Sequence, residues 1–479
     1  MLFRDMTESA IQKALRDDRA AENKARNAET RELIDMYEGG ARMKPYLLRR
    51  PGESMATASA SRQERYTYRA NRAHNPNYFS RLTDSLADGF VGDKITRRVS
   101  SGDEAFQALL DDVHIQLVQQ EYGLGTVLVG GSLVGIVGWA EGGISLCPLH
   151  PFAWRVKSDP QDPYALAEVE EDRTYQSADG KEHTVTWVWN SEWGRLYDSD
   201  GVRLTVDPMT GLETDWADPN PYDGEIPYVY WRGRPVLGQF EGISYVRDQA
   251  SLQKELYNRS NDLMILCHMR SFGVPVFKDL QTNIADWSEY GGLEVGPTGD
   301  AWMLEPSGDI PGMVMTLEKL IEWMYETGNV PTSMVQDASV KSGVALAIEW
   351  MPFLRVIQTL RNNGAVSERE LVRKMLVIGK AHGVEKLPSA DVDIEIEYEE
   401  SVLPTDETAD FQRDLLMLNN DPPLITKEDF LRRWHRLPDD KAVAKYIGEL
   451  DAEADAAAQK KADQQPEPPQ FGAFGGVQL

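Results

Sequence analysis

Apolar residues recur at helical spacing on both sides of one short polar segment, and this is the most informative pattern in the chain. From Met313 the apolar positions follow one helical face as far as Gly328. The segment 329–343 is polar and contains Pro331, which interrupts helical structure. A second apolar stripe of helical period begins at residue 344. The pattern predicts a helix, a loop at its tip and a long return helix.

Pro352 lies within the predicted return helix. Proline removes one backbone donor and clashes with the preceding helical turn. The helix is therefore either kinked at Pro352 or begins there, and the sequence leaves both alternatives open.

Three helices are predicted in the first quarter of the chain. The first spans residues 7–38 and stops at a Gly-Gly pair, and the basic segment that follows, up to Arg72, is expected to be partly irregular. The second begins near Tyr78 and runs toward Phe90. The third begins at Asp103, and its expected apolar side consists of Phe106, Leu109, Leu110, Val113 and Leu117.

The pattern changes to short β-branched runs near residue 124. Two such runs flank Gly130 and predict a hairpin, and further runs separated by turn clusters predict an antiparallel meander over roughly residues 124–232. Three tryptophans of the meander are expected to pack on a sheet face: Trp187, Trp189 and Trp193.

The remaining pattern predicts one long helix, one strand and several small elements. Residues 241–271 form an amphipathic helix, and a strand-and-turn insertion follows it. Residues 391–400 alternate with period two, which predicts a strand with acidic residues on its outer face. Small helices are expected at 408–419 and 426–434, and a low-complexity tail from about residue 455 is expected to be disordered.

Composition indicates a folded chain of several structural units. The 479 residues favour about three units, and the 41% apolar content supports packed cores. No apolar run reaches the length of a membrane span, and the charged N-terminus does not resemble a signal peptide. Two cysteines, Cys147 and Cys267, are too few for a disulfide framework and are expected to be reduced core residues, with the cytoplasm as the default compartment.

The charge of the chain is strongly acidic and uneven. A net charge of −27 disfavours tight DNA binding, which needs a basic surface, but permits DNA to slide past without sticking. Residues 41–73 are rich in Lys and Arg, whereas residues 391–410 contain acids and no base. These regions are either solvated surface or charge-matched contacts between neighbouring subunits.

The sequence contains no convincing catalytic, cofactor or metal motif. It lacks a phosphate-binding loop, a complete dinucleotide fingerprint, a nucleophile elbow and closely spaced histidines. Cys267 and His268 are neighbours on one helix and are interpreted as structural residues. The acidic run Asp391, Asp393, Glu395, Glu397 and Glu399 could imitate a cation site or an acid–base pair, but acids that protect a strand edge are the favoured interpretation.

The order of elements resembles the SPP1-type portal family of tailed bacteriophages over nearly the whole chain. The string SGVALAIEWMPFLRV, which begins at residue 342, is the most similar segment. GISYVRDQASLQKELYNRSNDL, from residue 242, resembles the first stem helix of that family. VDIEIEYEESVLPTDETADFQRDLL, from residue 392, is similar to the passage into its crown. The individual motifs are short, and their collinear order carries the resemblance.

The resemblance implies an α+β portal fold with named parts. It predicts a wing of helices and an antiparallel β-meander, a helical stem, a small α/β clip, a tunnel loop with a long kinked helix, and an α-helical crown. The expected ranges are an N-terminal helix at 1–40, the wing at 41–240, the first stem helix at 241–271, the clip at 272–312, the second stem helix at 313–328, the tunnel loop at 329–343, the long helix and wing strand at 344–403, the crown at 404–454 and the tail at 455–479.

The resemblance also implies a function and partners. Portals form rings, usually dodecameric, at a capsid vertex of the virion, assemble in the host cytoplasm, and conduct double-stranded DNA without sequence specificity. The implied partners are a terminase, a head–tail adaptor and major capsid or scaffold proteins, with no membrane, cofactor or enzymatic activity. The tunnel-loop residues expected to face DNA are Asn329, Ser333, Gln336, Lys341 and Ser342. The clip residues expected to dock partners are Trp287, Tyr290 and Trp302.

Two alternatives remain open at this stage. The first is another ring component of the virion, such as a head–tail adaptor, although adaptors are typically smaller. The second is a hydrolase that uses the carboxylates of residues 391–400. Lys341 is either a DNA-grazing cation or an ordinary exposed lysine.

Overall fold

A computed structural model describes most of the first four hundred residues of the chain. The described residues are 26–50, 53, 60–92, 94–139, 143–162, 164–176, 182–272, 274–280, 295–304, 308–332, 343–384, 386–398, 417, 426 and 430. The chain divides into two units, Met1–Val402 and Leu403–Leu479. The predicted helices at 408–419 and 426–434 and the predicted tail lie almost entirely outside the described residues.

The described part of the first unit combines helices with antiparallel sheets, so the α+β prediction is confirmed. Short 3₁₀ turns occupy Gly40–Tyr46 and Asp215–Ala217. The helices are α1 (26–38), α2 (Ala60–Arg72), α3 (Tyr78–Val91), α4 (Asp103–Asp112), α5 (Ile115–Val129), α6 (Gln249–Phe272), α7 (Ile310–Thr327) and α8 (Gly343–Ala381).

Twelve strands in the described residues form four antiparallel sheets. The sheet orders are β1-β12, β10-β11, β3-β2-β9 and β4-β5-β6-β7-β8. The strands are β1 (Ile95–Val99), β2 (Gly131–Trp139), β3 (Gly143–Pro148), β4 (Trp154–Ser158), β5 (Leu166–Gln176), β6 (Glu182–Asn190), β7 (Gly194–Tyr197), β8 (Arg203–Leu204), β9 (Tyr228–Arg232), β10 (Val274–Leu280), β11 (Val295–Leu304) and β12 (Ile394–Tyr398).

Helix α3 forms where the sequence predicts it, and local chemistry explains its start. The Asn77 side chain accepts a hydrogen bond of 3.1 Å from the Ser80 N–H, which satisfies one of the free donors at the helix N-terminus. Phe79, Leu82 and Leu86 follow at helical spacing and are fully buried. Capping and apolar period therefore agree, and the prediction is confirmed.

The helix predicted from Asp103 is two helices, α4 and α5, separated at His114. The His114 backbone has a positive φ of 51°, which breaks the helix, and the following helix is turned to a new face. Leu117 is consequently 62% exposed instead of sharing the apolar side of α4. Its predicted place in that apolar side was wrong.

The β-branched run before Gly130 is helical, so the predicted hairpin about Gly130 was wrong. These residues complete α5, which packs against α3 so closely that a Cβ at Gly123 would lie 2.5 Å from the Val91 side chain. Burial against α3 outweighs the local strand propensity of this run. The meander begins at residue 131, and β2 pairs with β3 instead.

Three glycines contact one another through their backbones where the end of α5, the end of β9 and the segment before α6 come together. We call this set the glycine junction; it consists of Gly130, Gly233 and Gly242. Gly233 donates to the Gly130 carbonyl at 3.0 Å, and added Cβ atoms at Gly233 or Gly242 would lie 2.6 and 2.7 Å from that carbonyl oxygen. Residue 243 bridges to residue 234 in the same place. This packing explains why α6 begins at Gln249 and not at residue 241, where the apolar period predicts it.

Helix α8 is continuous from Gly343, so Pro352 lies inside it and does not mark its start. Of the two alternatives for Pro352, the late start is excluded. The strand prediction at residues 391–400 is confirmed by β12, whose register places Glu395 opposite Arg98 of β1. The acids of β12 alternate outward, as the period of two predicts.

Other predictions of burial have mixed outcomes. Trp187 and Trp189 are buried on β6 as expected, whereas Trp193 lies half-buried at the turn into β7, with the Arg195 guanidinium over its ring. Cys147 is exposed and Cys267 half-buried, so the expectation that both are core residues was wrong. Apolar neighbours in the sequence did not predict on which face of its sheet the Cys147 side chain lies.

The basic segment 41–73 is more ordered than expected and uses much of its charge within the chain. It contains helix α2, which the sequence analysis did not predict. Arg69 pairs with Glu53 at 2.7 Å, and both side chains are largely buried. Arg50 pairs with Asp262 of α6 at 2.6 Å. Both arginines are therefore paired within the chain. The composition had suggested solvated surface or contacts between subunits instead.

Candidate assembly surface and loop base

Helices α6 and α7 pack against each other, and the sequence determines where α7 starts and stops. The Asp309 carboxylate accepts a hydrogen bond of 3.1 Å from the Gly312 N–H and caps the helix, with Pro311 in the first turn. Gly328 follows the last turn. The apolar stripe predicted for residues 313–328 therefore forms one helix, three residues longer at its start.

Some of the large apolar side chains of these helices are exposed to solvent. Leu320 and Met324 of α7 are buried, but other large apolar side chains on α6, α7 and the first turns of α8 are between 38% and 68% exposed. We call this set the hairpin surface; it consists of Met264, Val314, Met315, Trp323, Ile348 and Met351. Single exposed apolar residues are ordinary, whereas large exposed apolar patches mark interaction sites, so these six side chains are candidates for contact with another molecule.

The base of the predicted tunnel loop is closed by a hydrogen bond between the segment after α7 and helix α8. The Thr332 hydroxyl donates to Glu349 at 3.0 Å, so residues 332 and 349 are held together. Asn329 is exposed and has a positive φ of 57°, in the left-handed region that Asn tolerates. The other predicted channel residues, Ser333, Gln336, Lys341 and Ser342, lie outside the described residues.

The segment predicted as a clip contains the β10–β11 pair. Its register places Trp302 opposite Val276, and Trp302 is 47% exposed. An exposed tryptophan is a frequent anchor in protein interfaces. The other two predicted docking residues, Trp287 and Tyr290, lie outside the described residues. The docking role of all three stays a prediction.

At the opposite end of α8, a buried ion pair fastens the helix to β1 and α5. Arg97 donates from Nε to Glu368 Oε2 at 2.7 Å, and both side chains are almost completely buried. Arg97 also donates to the Tyr122 hydroxyl at 3.1 Å, and Tyr122 in turn donates to Glu368. Gln119 accepts from the guanidinium at 3.4 Å. The charges are thus mutually neutralised inside the protein, which is the condition under which burial is tolerated.

The protonation preferences of this cluster match that geometry. Burial, followed by the negative charge of Glu368, raises the pKa of Tyr122 well above its ordinary value, so the hydroxyl remains a donor. Burial alone would lower the pKa of Arg97, but Glu368 and Tyr122 raise it overall, so the guanidinium remains charged. The cluster therefore has the properties of a structural fastener and not of an acid–base site poised near neutral pH.

Three further polar residues hold the same half of α8 through backbone carbonyls. Arg361 donates to the Gly89 carbonyl at 3.2 Å at the end of α3. Ser367 donates to the Tyr230 carbonyl at 2.8 Å, and Lys374 to the Tyr228 carbonyl at 2.6 Å, both in β9. All three side chains are buried. If an apolar residue replaced one of these donors, the carbonyl that accepts from it would be left unsatisfied.

Helix α6 presents a ladder of amide side chains to the segment between α1 and α3. Asn258 accepts from the Leu48 N–H at 2.7 Å and donates to the Tyr46 carbonyl at 3.1 Å. Asn261 makes the same pair of bonds with the N–H and carbonyl of His74, at 2.8 and 3.1 Å. Gln253 accepts from the N–H of Phe79 at 3.2 Å. These residues are buried and satisfy backbone groups that have no partner in regular structure.

Sequence reasoning assigned no role to this ladder or to the Arg97–Glu368 pair. A signal for the ladder was present, because Asn258 and Asn261 lie three positions apart on one helical face among apolar residues. No comparable signal exists for the ion pair, whose members are 271 positions apart. The amide residues of the first predicted stem helix therefore have a structural role within the chain.

Two described outer carboxylates of β12 lie opposite residues of β1. Glu395 lies across the strand pair from Arg98, and Glu397 lies across from Thr96. Among the described residues, no three His, Cys, Asp or Glu side chains come together in a way that could hold a metal ion. Cys267 and His268 occupy successive positions on α6, one half-buried and the other exposed. No helix in the described ranges combines the length and apolarity needed to cross a membrane.

Comparisons with known proteins gave remote likenesses only. No family model matches the chain, and no curated protein matches it. A chain in the virion of a native gene transfer agent particle is similar with a TM-score of 0.39 and 12% identity, over 75% of this chain and 89% of that one. A chain in the neck of an empty gene transfer agent particle, computed with C6 symmetry, has a TM-score of 0.40 and 12% identity, over 76% and 90%. Scores this low do not establish a shared fold.

Proposed function

We propose that this chain is the subunit of a portal-type ring that conducts double-stranded DNA at a capsid vertex. The observation that carries the proposal is the hairpin surface, where one helix pair and the start of α8 expose six large apolar side chains. Burying such side chains is favourable by about 25 cal/mol per Å² of apolar area. In a closed ring, a surface of this kind on one copy is covered by a different surface of the neighbouring copy.

The arrangement of the elements supports the same proposal. A helix pair, a β-hairpin at one end, and a loop between α7 and the long helix α8 occur in the order that the sequence resemblance to portals implies. The hydrogen bond between Thr332 and Glu349 joins the segment after α7 to helix α8 at the base of the proposed tunnel loop. In a ring, a loop in this position is presented to the central channel.

The charge of the chain suits passage of DNA without capture. The net charge of −27 gives a ring overall repulsion toward phosphate, which opposes the neutralisation on which tight binding depends. Lys341 and the neighbouring polar residues Ser333, Gln336 and Ser342 are the proposed points of transient contact. Trp302, exposed on β11, is the proposed anchor for a terminase or an adaptor.

Mass and symmetry of the purified protein test the proposal directly. Native mass spectrometry combined with negative-stain class averages should show closed rings of about a dozen copies with a central hole. A neighbouring ring size would also support a ring-forming subunit. A stable monomer or dimer over a wide range of salt concentrations would contradict the proposal.

A matched pair of variants separates the ring from a carboxylate-dependent hydrolase. Glu395→Gln and Glu397→Gln remove charge from the exposed face of β12 without changing side-chain size. A ring subunit should still assemble with both changes, whereas a hydrolase using these carboxylates would lose turnover. A head–tail adaptor is the remaining alternative within the virion, and no contact in the described residues favours it over a portal.

A further inference from the structure

A cavity lies between the three-stranded and the five-stranded sheet, away from the hairpin surface residues. Its volume is about 90 Å³, several times the space that one water molecule needs. Gly135 and Gly138 of β2 line one side, and a Cβ added at Gly138 would lie 2.1 Å from the His382 ring. Trp187 and Trp189 of β6 form the other side. Trp216, which also lines the cavity, is half-exposed to solvent.

Aromatic rings make up most of the opposite wall and are packed against one another. Trp189 lies 5.8 Å from Tyr222 and 5.9 Å from Trp216, measured between ring centroids. The Tyr222 hydroxyl forms a 2.9 Å hydrogen bond with His382, and burial raises the pKa of Tyr222 to about 12. The wall is therefore fixed in place and uncharged at neutral pH. Such a surface favours the face or edge of another ring.

The only charged groups among the residues that line the cavity, all of them in the described part of the chain, satisfy each other. Glu171 accepts two hydrogen bonds from Arg173, at 2.7 and 2.9 Å, and a further one from the Tyr228 hydroxyl. Neither member of this pair requires a charge of opposite sign from a ligand. A charged ligand would lose hydration on entering without gaining an equivalent partner.

We propose that this cavity is a binding site for a small, neutral, planar molecule of about one aromatic ring. The inference is independent of ring assembly, because no hairpin surface residue lines the cavity. The ligand stacks against the Trp189, Trp216 and Tyr222 rings, and its edge lies toward the Glu171–Arg173 pair. The class of ligand follows from the size of the cavity, its aromatic walls and its internally neutralised charge.

The two cysteines of the chain provide a direct assay. Cys147 lines the cavity and is exposed, whereas Cys267 lies on α6 and does not line it. In the full-length Cys267→Ser variant, the rate of Cys147 modification by a disulfide reagent reports occupancy of the cavity. Although Cys147 is exposed as a residue, partial desolvation of its thiol, followed by the nearby Glu171 carboxylate, raises the pKa of Cys147, so the reaction is measured at mildly alkaline pH.

Three nearly isosteric probes separate the ligand classes: benzamide is neutral, benzoate is an anion and benzamidine is a cation. Concentrations from about 0.1 to about 10 mM cover the weak affinities expected for fragments of this size. Benzamide at ten times its dissociation constant should slow Cys147 modification about tenfold, because only the unoccupied fraction reacts. The charged probes should protect much less at equal concentration.

Two control variants exclude indirect effects. In Cys147→Ser, where Cys267 is the remaining thiol, benzamide should not change the rate of modification. Trp216→Ala removes one half-exposed wall and should weaken benzamide binding roughly three- to tenfold, the loss of one aromatic contact. Trp193→Ala, which removes a half-buried tryptophan that does not line the cavity, should leave it unchanged.

Absence of protection by benzamide up to the highest concentration would overturn the proposal, as would stronger protection by benzamidine or benzoate. Equal protection of Cys147 in the Trp216→Ala and Trp193→Ala variants would also contradict it, since the aromatic wall would then make no contribution. Thermal unfolding of each variant, followed by circular dichroism, shows that the cavity was tested in a folded protein.

Discussion

The first turns of α8 and its later stretch differ in the contacts that their side chains make. From Arg361 to Lys374 the helix carries buried polar side chains that reach β1, α3, α5 and β9. Near its start, Ile348 and Met351 expose apolar side chains. The later stretch fixes the helix by directional hydrogen bonds, while the first turns bury Trp350 and Phe353 but leave Ile348 and Met351 exposed. Stability of the chain and its assembly should therefore respond to different substitutions.

The largest effect on stability is expected at Glu368. Glu368→Ala leaves Arg97 charged and buried without its partner, which costs about 3–5 kcal/mol of the free energy of unfolding. Denaturant unfolding of the purified variant measures this loss. Glu322→Gln, which removes an exposed partner of Lys319 on α7, is the matched control and should change little. Wild-type stability of Glu368→Ala would contradict the role of the buried pair as the fastener of α8.

A smaller loss is expected in the amide ladder of α6. Asn258→Leu keeps the volume of the side chain but leaves the Leu48 N–H and the Tyr46 carbonyl unsatisfied, which costs about 1–3 kcal/mol. Thermal and denaturant unfolding measure the change. Arg259→Gln, at the adjacent exposed position, serves as the control because its partner Glu255 is on the same helix. Equal stability of the two variants would show that the ladder is not required to hold the basic segment.

Glu53 is expected to make a smaller, pH-dependent contribution to the free energy of unfolding. Burial alone would raise the pKa of Glu53, but hydrogen bonds from Arg69 and Arg50 lower it overall, below the ordinary value of 4.5. The contribution of the carboxylate to stability is therefore complete above that value and is lost as the pH falls through the lowered pKa. The free energies of unfolding of Glu53→Gln and of the wild type, compared across pH 2–7, should converge toward the acidic end of that range. A constant difference across that range would contradict the assignment.

The smallest effect on stability is expected on the hairpin surface, where assembly should change most. Met315→Ser alters an exposed side chain and should leave the melting temperature of the dissociated chain near that of the wild type. The same change should weaken or abolish the ring seen by native mass spectrometry. Met324→Ala, on the buried side of α7, should instead cost about 2–5 kcal/mol of stability. An intact ring in Met315→Ser would contradict the proposed interface.

Local signals were sufficient for several elements. Asn77 and the spacing of Phe79, Leu82 and Leu86 define α3, and the alternation at 391–400 defines β12. In each case capping, period and burial agree, so the sequence alone predicts the element. The order of helix, loop and long helix between residues 313 and 381 was predicted on the same grounds.

Tertiary contacts decided what local signals could not. The run before Gly130 has strand propensity but is helical, because Gly123 allows α5 to pack tightly on α3. Leu117 changes sides because the backbone of His114 breaks the helix. The Arg97–Glu368 pair joins distant positions, and the cavity is formed by two sheets that meet only in the folded chain. None of these features has a signature within a short window of sequence.

The glycine junction has a consequence for the history of the sequence. Gly130, Gly233 and Gly242 approach one another through their backbones, and a side chain at any of them would strike backbone atoms that cannot move independently. A substitution at one position therefore cannot be compensated at the other two. We expect evolutionary drift to spare these three codons while it changes the residues around them. They therefore provide fixed columns for any alignment of this chain with related sequences.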